Sequence, residues 1–162
     1  MSTGILAPMP RHAIQRQRLE RSTWLPRPIE EVFGFFADAT NLERITPPEL
    51  RFRIVSPLPI QMRKGALIEY RLALFHVPFG WRTEISEWSP PSRFVDRQVA
   101  GPYKCWIHMH SFATERRGTR MLDRVDYVLP LGRTGMLAGP LVRRELDRIF
   151  DYRARAIGTL LA

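Results

Sequence analysis

The sequence predicts an α+β fold in which a curved, seven-stranded antiparallel sheet wraps around one long C-terminal helix, with two short helices after the first strand. Three observations predict it. Apolar residues alternate with period two in a first short stretch, then recur at helical spacing, then return to period two over six consecutive stretches. Proline and glycine punctuate the boundaries between those stretches. From about residue 137 the period is helical again, with Val142, Leu146, Ile149, Phe150, Ile157 and Leu160 on one stripe opposite Arg143, Arg144, Asp147, Asp151 and Arg155.

Taken in order, residues 1–15 contain Pro8 and Pro10 and no sustained period, and read as a mobile tail ahead of a single domain over 16–162. QRLERSTWLP reads as the first strand, ended by Pro26 and Pro28. Pro28 suits a helix start, and Ile29, Val32, Phe33 and Phe36 follow at helical spacing with Glu30 and Glu31 in the first turn. A short second helix around Asn41 to Ile45 stops at Pro47 and Pro48. Strands are expected at 50–56, 66–76, 81–88, 93–99, 103–115 and 119–129. A sheet of this kind has one face to cover, and the long helix covers it. Curling the sheet around the helix leaves a space suited to a small apolar molecule.

Composition narrows the function classes. The 162 residues are 44% hydrophobic and 25% charged, the balance of a globular protein. No apolar run approaches the roughly 18 residues of a membrane span, and the N-terminus lacks the apolar core of a secretory signal, so a cytoplasmic protein is expected. The net charge is +9, yet the arginines are scattered and often lie beside acids, as in Asp96-Arg97, Asp123-Arg124 and Arg144-Glu145. Scatter of that kind argues for a solvated surface and against a nucleic-acid partner. The single cysteine, Cys105, excludes an internal disulfide and a cysteine-based metal motif.

GPYKCWIHMHSF, residues 101–112, carries the most chemistry. Period two places Trp106, His108, His110 and Phe112 on one strand face. In MLDRVDYVL the Arg124/Asp126 pair belongs outside, which turns Asp123 and Tyr127 inward. With a turn at Arg117-Gly118, Phe112 would face Asp123, His110 would face Val125 and His108 would face Tyr127.

Several stretches resemble the SRPBCC superfamily of START, Bet v 1 and polyketide cyclase/dehydrase-like proteins, and in particular its bacterial ligand-binding branch. They are WLPRPIEEVFGFFADATNLERITPPEL (24–50), MRKGALIEYRL (62–72), WRTEI (81–85), FVDRQVAGPYKCWIHMHSF (94–112), GTRMLDRVDYVLPLG (118–132) and IFDYR (149–153). The resemblance implies the helix-grip fold and a pocket protein, and leaves open whether there is catalysis.

The expected pocket residues are Tyr70, Trp81, Thr83, Asp96, Gln98, Trp106, His108, His110, Phe112, Asp123 and Tyr127, although Val95 and Val99 compete with Asp96 and Gln98 for the inner face. The expected function is binding of a small, largely apolar ligand. The first alternative is a cyclase or dehydratase in which His108, His110 and Asp123 transfer protons. The second is a lipid carrier that touches membranes transiently through the apolar tip at Phe75, Val77 and Phe79. LPLGRTGMLAGP (129–140) reads as a flexible hinge. Two histidines with Asp123 or Asp96 are an acceptable metal pair and carboxylate, but there is no HExxH motif and no well-placed third histidine. No metal and no cofactor are therefore expected. The ligand and the oligomeric state are not legible in the sequence.

Overall fold

Long runs of period-two alternation commit most of the chain to one sheet. A computed structural model describes residues 16–74, 77–130 and 132–162. The strands are β1 (Gln17–Leu25), β2 (Arg53–Ile54), β3 (Leu67–Leu74), β4 (Val77–Ser89), β5 (Arg93–Ala100), β6 (Cys105–Glu115) and β7 (Gly118–Val128). The helices are α1 (Ile29–Ala37), α2 (Asn41–Arg44), α3 (Gly132–Leu137) and α4 (Gly139–Leu160). The strands form a seven-stranded sheet in the order β1-β7-β6-β5-β4-β3-β2, and each neighbouring pair is antiparallel. Register shifts in β4 against β5, between Arg82 and Thr83 and between Ile85 and Glu87, mark bulges of the kind that bend a sheet.

α1 begins after Pro28, whose carbonyl accepts from the Glu31 and Val32 amides at 3.1 Å. It buries Val32, Phe33 and Phe36 against one end of the sheet, where Phe33 meets Phe94 and Phe112 edge-on. α4 buries Leu146, Phe150 and Ile157. Its outer side is tied to β1 by Arg21, which donates to Asp147 at 2.7 Å and to Asp151 at 2.9 Å. Two apolar clusters result, one around α1 and one around Trp81, Trp106 and α4.

Four expectations change. The strand expected over 50–56 shortens to Arg53–Ile54: Leu50 closes a 3-10 turn, Arg51 is left-handed, and the Val55 and Ser56 amides both donate to the one Glu69 carbonyl, so the regular ladder stops there. The expected hinge over 129–140 is mostly helix: Gly135 sits where any Cβ would strike the Pro130 carbonyl, so its glycine serves a close approach. β4 starts already at Val77, and Phe79 is half-buried against the Trp81 cluster rather than free at a tip. Finally, Glu115 pairs with Gly118, so the β6–β7 turn is Arg116-Arg117, two residues from the expected pairing. The expected tail over 1–15, and Phe75 and His76 of the tip, lie outside the described residues.

Candidate functional site

Between the concave face of the sheet and α4 lies a cavity of about 550 Å³, within the roughly 300–1,000 Å³ usual for small-molecule sites. Its walls are mainly apolar. Trp81 is their centre, stacked against Tyr70 at 6.0 Å and edge-on to Trp106 at 5.2 Å between ring centroids. Ile68, Ile85 and Phe94 continue the wall towards α1, and Val142, Leu146, Ile149 and Phe150 close it from α4.

Polar groups gather on adjacent strands β5, β6 and β7. In the register, Asp96 stands opposite His108 and Asp123 opposite His110. His108 Nε2 lies 3.0 Å from Asp123 Oδ1, and His110 Nε2 lies 3.2 Å from Asp96 Oδ2. His110 Nδ1 is 2.8 Å from Asp123 Oδ1 but lacks a well-aligned hydrogen bond. The two imidazole centroids are 3.8 Å apart, and Phe94 stacks on the other side of His110 at 4.1 Å. Both histidines and Asp123 are buried.

This crowding sets the protonation states. Burial works to raise the Asp123 carboxyl, but the charge of the nearby His110 and the His108 hydrogen bond overcome it and hold Asp123 well below the usual carboxylate range. Burial likewise opposes ionisation of Asp96, and the His110 hydrogen bond with the charges of both histidines keeps it low. His108 is pushed down by burial and by the His110 charge, which together outweigh its carboxylate partners. For His110 the burial effect is reversed by the Asp123 charge and by hydrogen bonding to Asp123 and Asp96, so it is raised.

Of the residues expected in the pocket, Tyr70, Trp81, Thr83, Asp96, Trp106, His108 and His110 line the cavity. Four lie elsewhere. Phe112 packs among Phe33, Phe36 and Phe94 in the α1 core. Asp123 stands behind the histidines. Tyr127 is fully buried, and its hydroxyl donates to Gln17 Oε1 at 2.9 Å. Gln98 turns to the β5–β6 connection, donating to the Tyr103 carbonyl at 2.7 Å. On β5, Phe94 and Asp96 line the cavity, whereas Val95, buried on the other face, and exposed Val99 do not, which decides the inner face in favour of Phe94 and Asp96.

Two cavity residues that the expected set lacks bear on its chemistry. Tyr103, expected to open the 103–115 strand, lies instead in the loop ahead of β6 and packs against Trp81 and Trp106 at 5.6 and 4.8 Å. Arg153 lines the cavity beside Phe150, and its Nε is buried without a hydrogen-bond partner. Its signal was present: 146, 149, 150, 153 and 157 share one helical face.

The fold and the cavity define a helix-grip protein. No family model matches the chain, and no curated protein matches it in sequence. Solved structures do match in fold. An aromatase/cyclase from Streptomyces superposes with TM-score 0.74 at 13% identity, covering 91% of this chain and 94% of that one. A Thermus thermophilus protein gives 0.61 at 23%, covering 90% and 95%. A major latex-like protein from Panax ginseng gives 0.63 at 12%, covering 90% and 97%. What the chain shares with these proteins is the fold. Among the described residues, no helix is long and apolar enough to cross a membrane.

Proposed function

We propose that the protein binds one small, largely apolar ligand carrying an oxygen-bearing polar group, held between the sheet and α4. One observation carries this reading: the cavity of about 550 Å³ has mainly aromatic and aliphatic walls, with its charged and imidazole groups limited to Asp96, His108 and His110 on the sheet and Glu145 and Arg153 on α4. Such a division of labour is that of a ligand site, where apolar area gives affinity and a few polar groups give orientation. The Arg153 guanidinium, with a buried and unpartnered Nε, suits an acidic or carbonyl oxygen on the ligand. Proteins of the same fold named aromatase/cyclase support a polycyclic or chain-like guest.

The test uses 1-anilinonaphthalene-8-sulfonate, an apolar molecule with one anionic group. It should bind at one molecule per chain and gain fluorescence. Replacing the cavity-lining Ile149→Trp should weaken binding at least about tenfold by occupying the space; an unchanged affinity in a variant with native circular dichroism would reject the cavity as the site. If native mass spectrometry finds a natural guest in the purified protein, its chemical conversion on incubation would move the reading to the cyclase or dehydratase alternative.

A further inference from the structure

The four ionisable groups of the strand cluster are arranged in two layers. Asp96 Oδ2 lies 3.2 Å from His110 Nε2 and 3.7 Å from His108 Nδ1. One ligand-type atom from each of Asp96, His108 and His110 falls within 4.8 Å of the others, and all three residues line the cavity. Behind them, Asp123 Oδ1 lies 3.0 Å from His108 Nε2 and 2.8 Å from His110 Nδ1. Each imidazole thus turns one nitrogen to Asp96 and the other to Asp123.

We propose that Asp96, His108 and His110 bind one divalent first-row transition-metal ion, with Asp123 as the positioning carboxylate for both imidazoles. The spacing fits. Ligand atoms about 2.0–2.1 Å from a tetrahedral zinc ion stand roughly 3.3–3.4 Å from one another, and the observed separations of 3.2 and 3.7 Å lie on either side of that value. For the two Asp96–imidazole pairs an ion therefore asks for shifts of a few tenths of an ångström, and all three ligand atoms already lie within 4.8 Å of one another.

The outer layer fits as well. A metal-bound imidazole gives its far N–H to a carboxylate, which fixes both its tautomer and its tilt. Asp123 occupies that place for His108, and its Oδ1 lies 2.8 Å from His110 Nδ1, where a small tilt of the ring would align the same bond. Charge points the same way. Two buried carboxylates are neutralised by one divalent ion while both imidazoles stay neutral, whereas two imidazolium rings 3.8 Å apart would repel. Two nitrogens and one carboxylate suit zinc, cobalt, nickel, copper or iron; calcium and magnesium take oxygen sets.

Asp96, His108 and Asp123 come from three adjacent strands, so the sheet register holds the set rigidly. Three protein ligands leave a coordination position open, as catalytic zinc sites do. Because the ligands line the cavity and Asp123 does not, that position is on the cavity side, available to water or to an oxygen of the guest. The sequence offers Asp96 and Asp123 as alternative carboxylates without a motif to choose between them; the pairing of β5 with β6 sets Asp96 opposite His108 on the cavity side.

Chelator-treated protein titrated with Co²⁺ alone tests the site. One Co²⁺ per chain should bind, giving the visible d–d bands of a low-coordinate centre, and Zn²⁺ should bleach them. Asp96→Asn, His108→Gln and His110→Gln should each remove the bands, while Asp123→Asn should keep them but weaken affinity roughly 10–100-fold. A His12→Gln/His76→Gln double variant should titrate as wild type does. The deciding arm needs no variant: featureless, non-saturating uptake by the wild-type protein overturns the proposal. So do bands that survive in a folded Asp96→Asn or His110→Gln protein. No organic guest is present in the titration, so its failure leaves the ligand-binding reading intact, and loss of that reading leaves the metal site intact.

Discussion

At position 118 a side chain is excluded by the neighbouring strand. A Cβ there would strike the Leu25 carbonyl oxygen and lie 2.8 Å from the Trp24 ring. Gly118 opens β7 at the point where β1 ends beside it, with Leu25 paired to Thr119. The contact partner is backbone and a half-exposed indole, so little can yield. Gly118→Ala should therefore destabilise the domain by about 2 kcal/mol, the scale of overpacking in a closed site. Urea unfolding checks it, and the midpoint should fall with the slope unchanged. One residue further on, the buried Thr119 hydroxyl donates to the Arg27 carbonyl at 2.8 Å, so the same corner also fixes the chain between β1 and α1.

The β6–β7 hairpin turns through Arg116 and Arg117, both left-handed, with φ of 49° and 62°. A two-residue hairpin turn of this hand favours Asn-Gly, and arginine there costs on the order of 1 kcal/mol per residue. The double change Arg116→Asn/Arg117→Gly should raise stability by about 1–2 kcal/mol, read as a higher urea midpoint. The same turn explains what the sequence revealed of the site. Arginine carries no left-handed signature, so the sequence alone points to a turn one residue late and a pairing two residues off. Because side-chain faces repeat every two residues, that slip preserved the buried face of His108 and His110 while exchanging their partners. Asp123, expected opposite Phe112, stands opposite His110 instead. Arg153 was hidden for another reason: a charged residue on an apolar stripe reads as an edge, and only the cavity shows it facing inward. α4 has its own prediction. Burial works to raise the Asp147 carboxyl, but hydrogen bonds from Arg21 and Arg143 lower it overall. Its contribution is therefore complete above the ordinary carboxylate pKa near 4 and is lost as pH falls below it. Asp147→Asn should cost roughly 0.5–1 kcal/mol at neutral pH, a cost that shrinks progressively as pH falls below about 4 and vanishes only once the lowered folded-state pKa is passed.

For the whole molecule, the order of strands and helices was legible because period and punctuation are local, and the sheet follows from them. The cavity was legible only as a consequence of curvature. Trp81, Ile85 and Phe94 read identically whether they fill a core or line a space. What separates the two is how far the curved sheet stands from α4, which bulges in β4 and the docking of β1 on α4 determine together. The aromatic and aliphatic groups facing that space forgo packing contacts that a filled core would give them. Stability and ligand capacity are therefore opposed in this protein. Ile149→Trp, on the α4 wall, makes both sides of that opposition measurable. An indole placed into the space should bury some tens of Å² of further apolar surface and stabilise the unliganded domain by about 1 kcal/mol, while anilinonaphthalene sulfonate binding falls. Thermal unfolding without ligand should show the melting point rise by a few degrees. A melting point that drops together with the affinity would mean that the α4 wall is already packed to capacity, and that the loss of binding reflects damage rather than occupation.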